Sequence, residues 1–432
     1  MTVKAPALTL DWDQVIGWRL RRHHLDERAP ASELVPVVSE IAGLHAQIMS
    51  SAELTAWARV DGLAGGAVAD ALWRDRTLVK TWAMRGTLHL LPAGEYPLWQ
   101  AALSTRRGYE LASWQRAFGI TLEQLEAMLV AIEQSLDGQV LSREALADEV
   151  ARRTGSPELG ERLRSGWGSM LKPAASRGKL CFGPSEGQRV CFTRPDQWLA
   201  GWREEDPAAA LLETARRYLR SAGAVTREDY ARWWGVQAPQ GGRVLRALGD
   251  ELVPVEVGGT RAFALAADAD EIAGSAPART VRLLPAFDQY VVTATRHAET
   301  LLPGPFKERV YRSQGWLSPG PAGRRPHARH LAPGGPGQAP GRHHRALHQA
   351  PRRRPPPGRR RGRAARRLDR HHPRPHLVGA VAAQVPGWGY SRAAPCRRAM
   401  IVLSRSKFCG YIVGRIVAST LLRSEETSCP PK

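Results

Sequence analysis

Cysteine is scarce in this 432-residue chain, and only two of its five cysteines, Cys181 and Cys191, precede residue 320. No zinc-ligand spacing is present, so neither a structural metal nor a disulfide scaffold is expected, and the pattern suits a reducing cytoplasm. Long apolar runs are also lacking. No stretch approaches the roughly 20 apolar residues of a membrane span, and Asp11 and Asp13 stand where a secretory leader needs apolar residues. A soluble, cytoplasmic, cofactor-free protein with no membrane partner is the expectation. Net charge is missing from the first three-quarters of the chain. Residues 320–432 hold 24 Lys and Arg against 3 Asp and Glu, which accounts for the whole formal excess of +21. The 38 bases and 38 acids that remain cancel, so any case for a nucleic-acid partner must come from local patches and motifs.

The tail lacks more than acid. Residues 320–387 contain no Ser, Thr, Lys, Asn, Ile, Met, Phe, Tyr, Trp or Cys. All 68 positions are Gly, Ala, Val, Asp, Pro, Arg, His, Gln or Leu, residues whose codons mostly begin with G or C. A GC-rich gene places G or C at its third codon positions, and a one-base slip turns that position into the first. The restricted alphabet therefore points to an out-of-frame tail over 320–432. Its basic, Pro-rich composition builds no core and predicts disorder.

What is present before residue 320 reads as three similar units. Residues 1–105 carry two helical patterns, the second with Leu34, Val37, Val38, Ile41 and Leu44 on one face. A helix near 51–60 and an extended stretch around 81–91 follow. Residues 106–200 repeat the order. Thr121 and Gln124 form a capping-box signature ahead of Leu125, Met128, Leu129 and Ile132. Helices near 142–153 and 161–177 come next, then a hairpin of Leu180–Phe182 and Val190–Phe192. Residues 201–270 do so again. A helix bears Leu211, Ala215 and Leu219, a second capping-box start falls at Thr226 and Asp229, a helix near 243–248 follows, and the hairpin turns at Gly258-Gly259. Helix, helix, helix, hairpin predicts a mainly α fold with small β-hairpins, an α+β array of three tandem winged helix-turn-helix units. Such units read duplex DNA more often than not. Trp167 and Trp233 sit in helical patterns and read as core; His89, in a strand-like run, reads as a satisfied core histidine.

Five strings resemble the winged-helix DNA glycosylases typified by AlkZ and YcaQ. They are GLHAQ (Gly43–Gln47), WAMRGTLHLLP (Trp82–Pro92), LKPAASRGKLCFGP (Leu171–Pro184), LLPAFDQYV (Leu283–Val291) and YRSQGWLSP (Tyr311–Pro319). The resemblance implies three winged-helix units and a C-terminal β-rich element, which begins over 271–319 and is truncated by the tail. It also implies action on double-stranded DNA, alkylated duplex included, and the chain is expected to be a monomer. The reaction implied is monofunctional hydrolysis of the N-glycosidic bond to N7-alkylated purines, bulky adducts and crosslinks among them.

The family's catalytic Gln-x-Gln, or Gln-x-Asp, falls on His45-Ala46-Gln47, so Gln47 matches and His45 departs. Gln47 is expected to hold a water, and a neutral His45 to accept its proton near the ordinary histidine range. Residues two apart on a helix point about 200° from each other, so the pair can share a site only if the helix ends or distorts there. Arg85, Arg177, Lys179, Arg227 and Arg232 are expected DNA contacts. The competing expectation is a tandem winged-helix transcription regulator with no catalysis.

Overall fold

Thr121 and Asp11 show how local sequence starts these helices. Each side chain accepts the backbone N–H three residues on, while Gln124 or Gln14 closes the box by accepting the cap's own N–H. The computed structural model describes residues 8–164, 168–277, 280–301, 307–311 and 320–323. The fold is a mixed, mostly helical α/β one with small sheets.

One order of elements occurs three times. The helix Leu34–Glu40 is followed by a two-residue strand Leu44–His45, helices Met49–Trp57 and Ala67–Trp73, and a hairpin Leu78–Trp82/Leu88–Pro92. Next comes helix Leu122–Ser135, strand Leu141–Ser142, helices Arg143–Thr154 and Pro157–Arg164, and hairpin Cys181–Glu186/Arg189–Thr193. Last is helix Pro207–Ala222, a bridge from Val225 to Phe263, helices Arg227–Trp234 and Ala238–Ala247, and hairpin Leu252–Val257/Thr260–Leu265. In each case the residue or strand between the first two helices pairs with the returning strand of the hairpin. The long helix expected over 161–177 is instead two pieces, Pro157–Arg164 and Leu171–Ser176, with Pro173 in the second. Residues 165–167, and so Trp167, lie outside the described residues. Trp233 is core at 2% exposure.

Chain order is not packing order. Strand Leu8–Leu10 runs parallel to Leu252–Val257 and extends the third hairpin into a three-stranded sheet. Behind it, Val15 and Trp18 of helix Trp12–Arg22 pack with Ala224, Val255 and Ile272, and the Trp18 indole donates to the Arg220 carbonyl. Residues 8–18 therefore pack on the third repeat, although they were expected within a unit spanning 1–105. Helix Tyr96–Ser104 likewise shares a core with helix Pro207–Ala222.

The segment after residue 269 departs from a β-rich expectation. Among the described residues it has helix Ala269–Ala273, strand Val281–Leu284, helix Gln289–Thr293 and short helical turns after that. The strand pairs antiparallel with Gly320–Gly323, so the first four tail residues belong to the fold after all. A ladder is made by backbone groups, which this composition still supplies. The rest of the tail and most of Tyr311–Pro319 lie outside the described residues. Two buried carboxylates pin this segment to the repeats. Asp229 accepts from Arg296 at 2.9 Å and from His297 at 3.0 Å. Asp288 accepts both Arg59 amino groups, at 2.8 and 2.7 Å, and both side chains are fully buried.

Removing one partner of a buried pair strands the other charge, at a cost of about 3–5 kcal/mol. Asp288→Ala is expected to lower unfolding free energy by that order in urea. Asp206→Ala, which removes an exposed cap on Ala209, should cost only about 1 kcal/mol. Equal losses in the two variants would contradict this ranking.

Candidate active site

The helix Leu34–Glu40 stops where Ala42 and Gly43 turn left-handed, with φ of 59° and 92°. Gly43 is required there. A Cβ would sit 2.8 Å from the Leu91 side chain and 3.1 Å from the Leu90 carbonyl, at a φ that side chains resist. The chain leaves this turn extended. Leu44 pairs with Leu90, His45 with His89, and the Ala46 amide donates to the Leu88 carbonyl at 2.7 Å.

In an extended chain alternate residues share a face. Leu44 and Ala46 enter the core of the first repeat. His45 faces the other way, and Gln47, two residues on, is exposed. The helix thus ends before His45, which lies on the two-residue strand Leu44–His45, and Gln47 follows in a bend.

His45 is 5% exposed. Its ring stacks on Phe287 at 5.2 Å and 9°, and meets the His89 ring edge-on at 5.3 Å. Phe287 takes a left-handed φ of 57° in the turn just before Asp288, so the buried Asp288–Arg59 pair fixes the residue that covers His45. Burial, with the Arg85 charge adding to it, lowers the His45 pKa to about 3. The expected titration near the ordinary histidine range is therefore not what the structure gives. A desolvated imidazole beside a guanidinium stays neutral, and its Nδ1 has no partner among the described residues. It can accept a hydrogen bond at neutral pH, but it holds a proton poorly. His89 is fully buried and also held neutral by burial first, then by His45 and Arg85. Its Nδ1 lies 3.0 Å from the Thr87 carbonyl, while Nε2 is unpartnered, so it is only half satisfied.

The expected DNA contacts fare unevenly. Arg177 binds Glu126 at 2.7 Å and the Tyr109 hydroxyl at 2.8 Å, and Lys179 pairs with Glu133. Arg227 pairs with its neighbour Glu228. These three are committed to intramolecular acids. Half-buried Arg85, at a left-handed φ of 59°, donates to the Trp233 carbonyl at 3.1 Å and so joins the first repeat to the third. Burial, then the charges of Arg232 and Arg106, bring its pKa down to about 10, which leaves it charged. Arg232 is exposed and has no ion pair among the described residues.

Sequence reasoning assigned no role to Phe287, Asp288 or Arg59, although the first two lie within LLPAFDQYV. Cys181 and Cys191 are buried free thiols, and no group of three His, Cys, Asp or Glu side chains among the described residues could hold a metal. No helix among them is long and apolar enough to cross a membrane.

The DNA glycosylase AlkZ-like family model matches residues 38–322. An interstrand DNA cross-link repair glycosylase of Streptomyces sahachiroi is 37% identical over 313 residues, which are 71% of this chain and 84% of that protein. The solved Streptomyces sahachiroi DNA glycosylase AlkZ matches at a TM-score of 0.68 and 36% identity, over 73% of this chain and 86% of that one. These matches define a DNA-binding hydrolase of DNA repair. The chain belongs to the AlkZ-like DNA glycosylase family.

Three histidines, His23, His45 and His89, have pKa values below the ordinary 6.5 in the folded chain, each chiefly through burial. The unfolded chain binds protons there that the folded chain refuses. Their contribution to stability is complete above pH 6.5 and is lost as pH falls toward the folded values, by about 1.4 kcal/mol per pH unit for each histidine. His45→Gln should therefore flatten the fall in urea-unfolding free energy between about pH 6 and 4 by one proton's worth. Superimposable pH dependences for the two proteins would show that His45 is not held neutral.

Proposed function

We propose that the chain hydrolyses the N-glycosidic bond of N7-alkylated purines in duplex DNA, bulky adducts and crosslinks included, without forming a covalent enzyme intermediate. What supports this is that the chain leaves the helix at the left-handed Ala42-Gly43 turn, carries His45 on a short strand and exposes Gln47 just beyond it, at the positions that resemble the family's Gln-x-Gln. An N7-alkylated purine is cationic and leaves as a neutral base, so little acid assistance is needed. The enzyme's task is to orient a water and to tolerate an oxocarbenium-like sugar. The exposed Gln47 amide oxygen holds the water. Neutral His45 accepts a hydrogen bond from it and adds no positive charge beside the developing cation.

The three repeats are, in this reading, winged-helix units arranged along a duplex, and the protein works as a cytoplasmic monomer. Arg232, exposed and with no ion pair among the described residues, is the best suited of the five expected cations to meet a phosphate; its charge acts on Arg85, whose charge acts on His45. The composition break at residue 320, beside the end of the family match at 322, supports a tail read out of frame. The non-catalytic regulator is not favoured, because the family and the relatives are glycosylases.

The test is release of N7-methylguanine from a duplex. The parent chain should release the base, and Gln47→Ala should lose at least about a hundredfold in rate while binding the duplex normally, as expected when an oriented water is lost. Equal release by both proteins would remove Gln47 from the chemistry, and no release with tight binding to undamaged duplex would leave a DNA binder.

A further inference from the structure

A cleft of about 1000 Å³ lies apart from His45 and Gln47, which are not among its lining residues. Its walls are the tip of the first hairpin, the connector 105–118, helix Leu171–Ser176 and the first three helices of the last repeat. No Asp or Glu lines it, whereas Arg106, Arg107, Lys172 and Arg243 do. Arg107 is paired with Glu110. The other three have no carboxylate partner among the described residues. Arg106 donates only to the Ala83 carbonyl, at 3.1 Å, and Arg243 is exposed.

Both half-buried Lys172 and Arg106 are driven toward lower pKa values by burial, and Arg106 adds to the effect on Lys172. Like charges gathered in a shared, acid-free recess oppose folding unless an anion offsets them. The space around them is kept by glycine. A Cβ on Gly235, whose φ is 87°, would stand 2.8 Å from the Arg85 Cα and 3.2 Å from an Arg106 amino group.

The lining also includes an aromatic and apolar surface. Trp114 and Phe118 are half-buried, with ring centroids 4.5 Å apart at 37°, and Leu111 beside them is 61% exposed. Unpaired cations and an aromatic surface in one cleft are the combination that holds single-stranded nucleic acid, the cations meeting phosphates and the rings stacking on bases. The volume lies at the upper end of the roughly 300–1000 Å³ range for small-molecule sites and exceeds the needs of a lone phosphate.

We propose that this cleft is a second DNA site, which takes a short unpaired stretch of strand. Phosphates lie against Arg106, Lys172 and Arg243, and a base lies on the Trp114–Phe118 surface. The inference rests on DNA being the polymer this chain handles, but not on His45 or Gln47 performing chemistry.

The experiment titrates tetrathymidylate into the full chain at low salt and reads tryptophan fluorescence, alongside the base-release assay. The parent should bind. Lys172→Glu should weaken binding at least tenfold, Lys172→Arg should restore it, and Trp114→Leu should weaken it and reduce the quench. Gln47→Ala should bind like the parent. The slope of log affinity against log salt should shrink by about 0.7 in Lys172→Gln, one phosphate contact's worth on a single strand. Unchanged binding in Lys172→Glu, or an equal loss in Gln47→Ala, would overturn the proposal. So would inorganic phosphate binding as tightly as the tetranucleotide, which would mark a simple anion site. Strand binding that depends on Lys172 in a chain that releases no base would sink the glycosidic reading and leave this one standing.

Discussion

The buried pair of Arg59 and Asp288 is the contact on which the candidate site depends. Asp288 accepts two guanidinium N–H groups and also the Tyr290 amide at 2.9 Å, so its carboxylate fixes both the turn before it and the helix after it. That turn holds Phe287 in a left-handed conformation against the His45 ring. Covered in this way, His45 is desolvated, and desolvation is the main reason it stays neutral. A charged pair in a dry interior is a poor source of net stability, because desolvation offsets its attraction. Its value here is geometric: it joins residues 229 positions apart and sets one arrangement of the site.

Neutrality at residue 45 matters for the reaction proposed. A glycosidic bond to a cationic purine breaks with positive charge passing to the sugar, and a protonated imidazole at that point would oppose it. Burial and Arg85 both act against protonation, so in the proposed reaction the histidine would stand as an uncharged acceptor where the resemblance implies a glutamine. On that proposal the departure from Gln-x-Gln would change the shape of the acceptor without changing its charge.

Local signals were legible in the sequence, and long-range ones were not. Thr121 with Gln124 and Thr226 with Asp229 announced two helix starts, and both boxes form. The apolar runs around Gly258-Gly259 gave the third hairpin at nearly its observed bounds. By contrast, nothing in Leu8–Leu10 says that it will pair with a strand some 245 residues later. Of the site, GLHAQ pointed to His45 and Gln47, but its strand geometry needed the returning hairpin to supply Leu90 and His89. Arg177 and Lys179 looked free because Glu126 and Glu133, which neutralise them, stand on a helix some 50 residues earlier. Phe287 and Arg59 carry no periodic pattern at all; only the folded chain brings them to one place.

The most direct test of this account is the pH profile of base release from an N7-methylguanine duplex under single-turnover conditions, between about pH 5 and 8, where an ordinary histidine would titrate. With His45 held neutral throughout, the rate should be flat across that range, and His45→Gln should give the same flat profile. A rate that falls below about pH 6.5, with an inflection that disappears in His45→Gln, would show that His45 takes up a proton in the working enzyme and would contradict the neutral site described here.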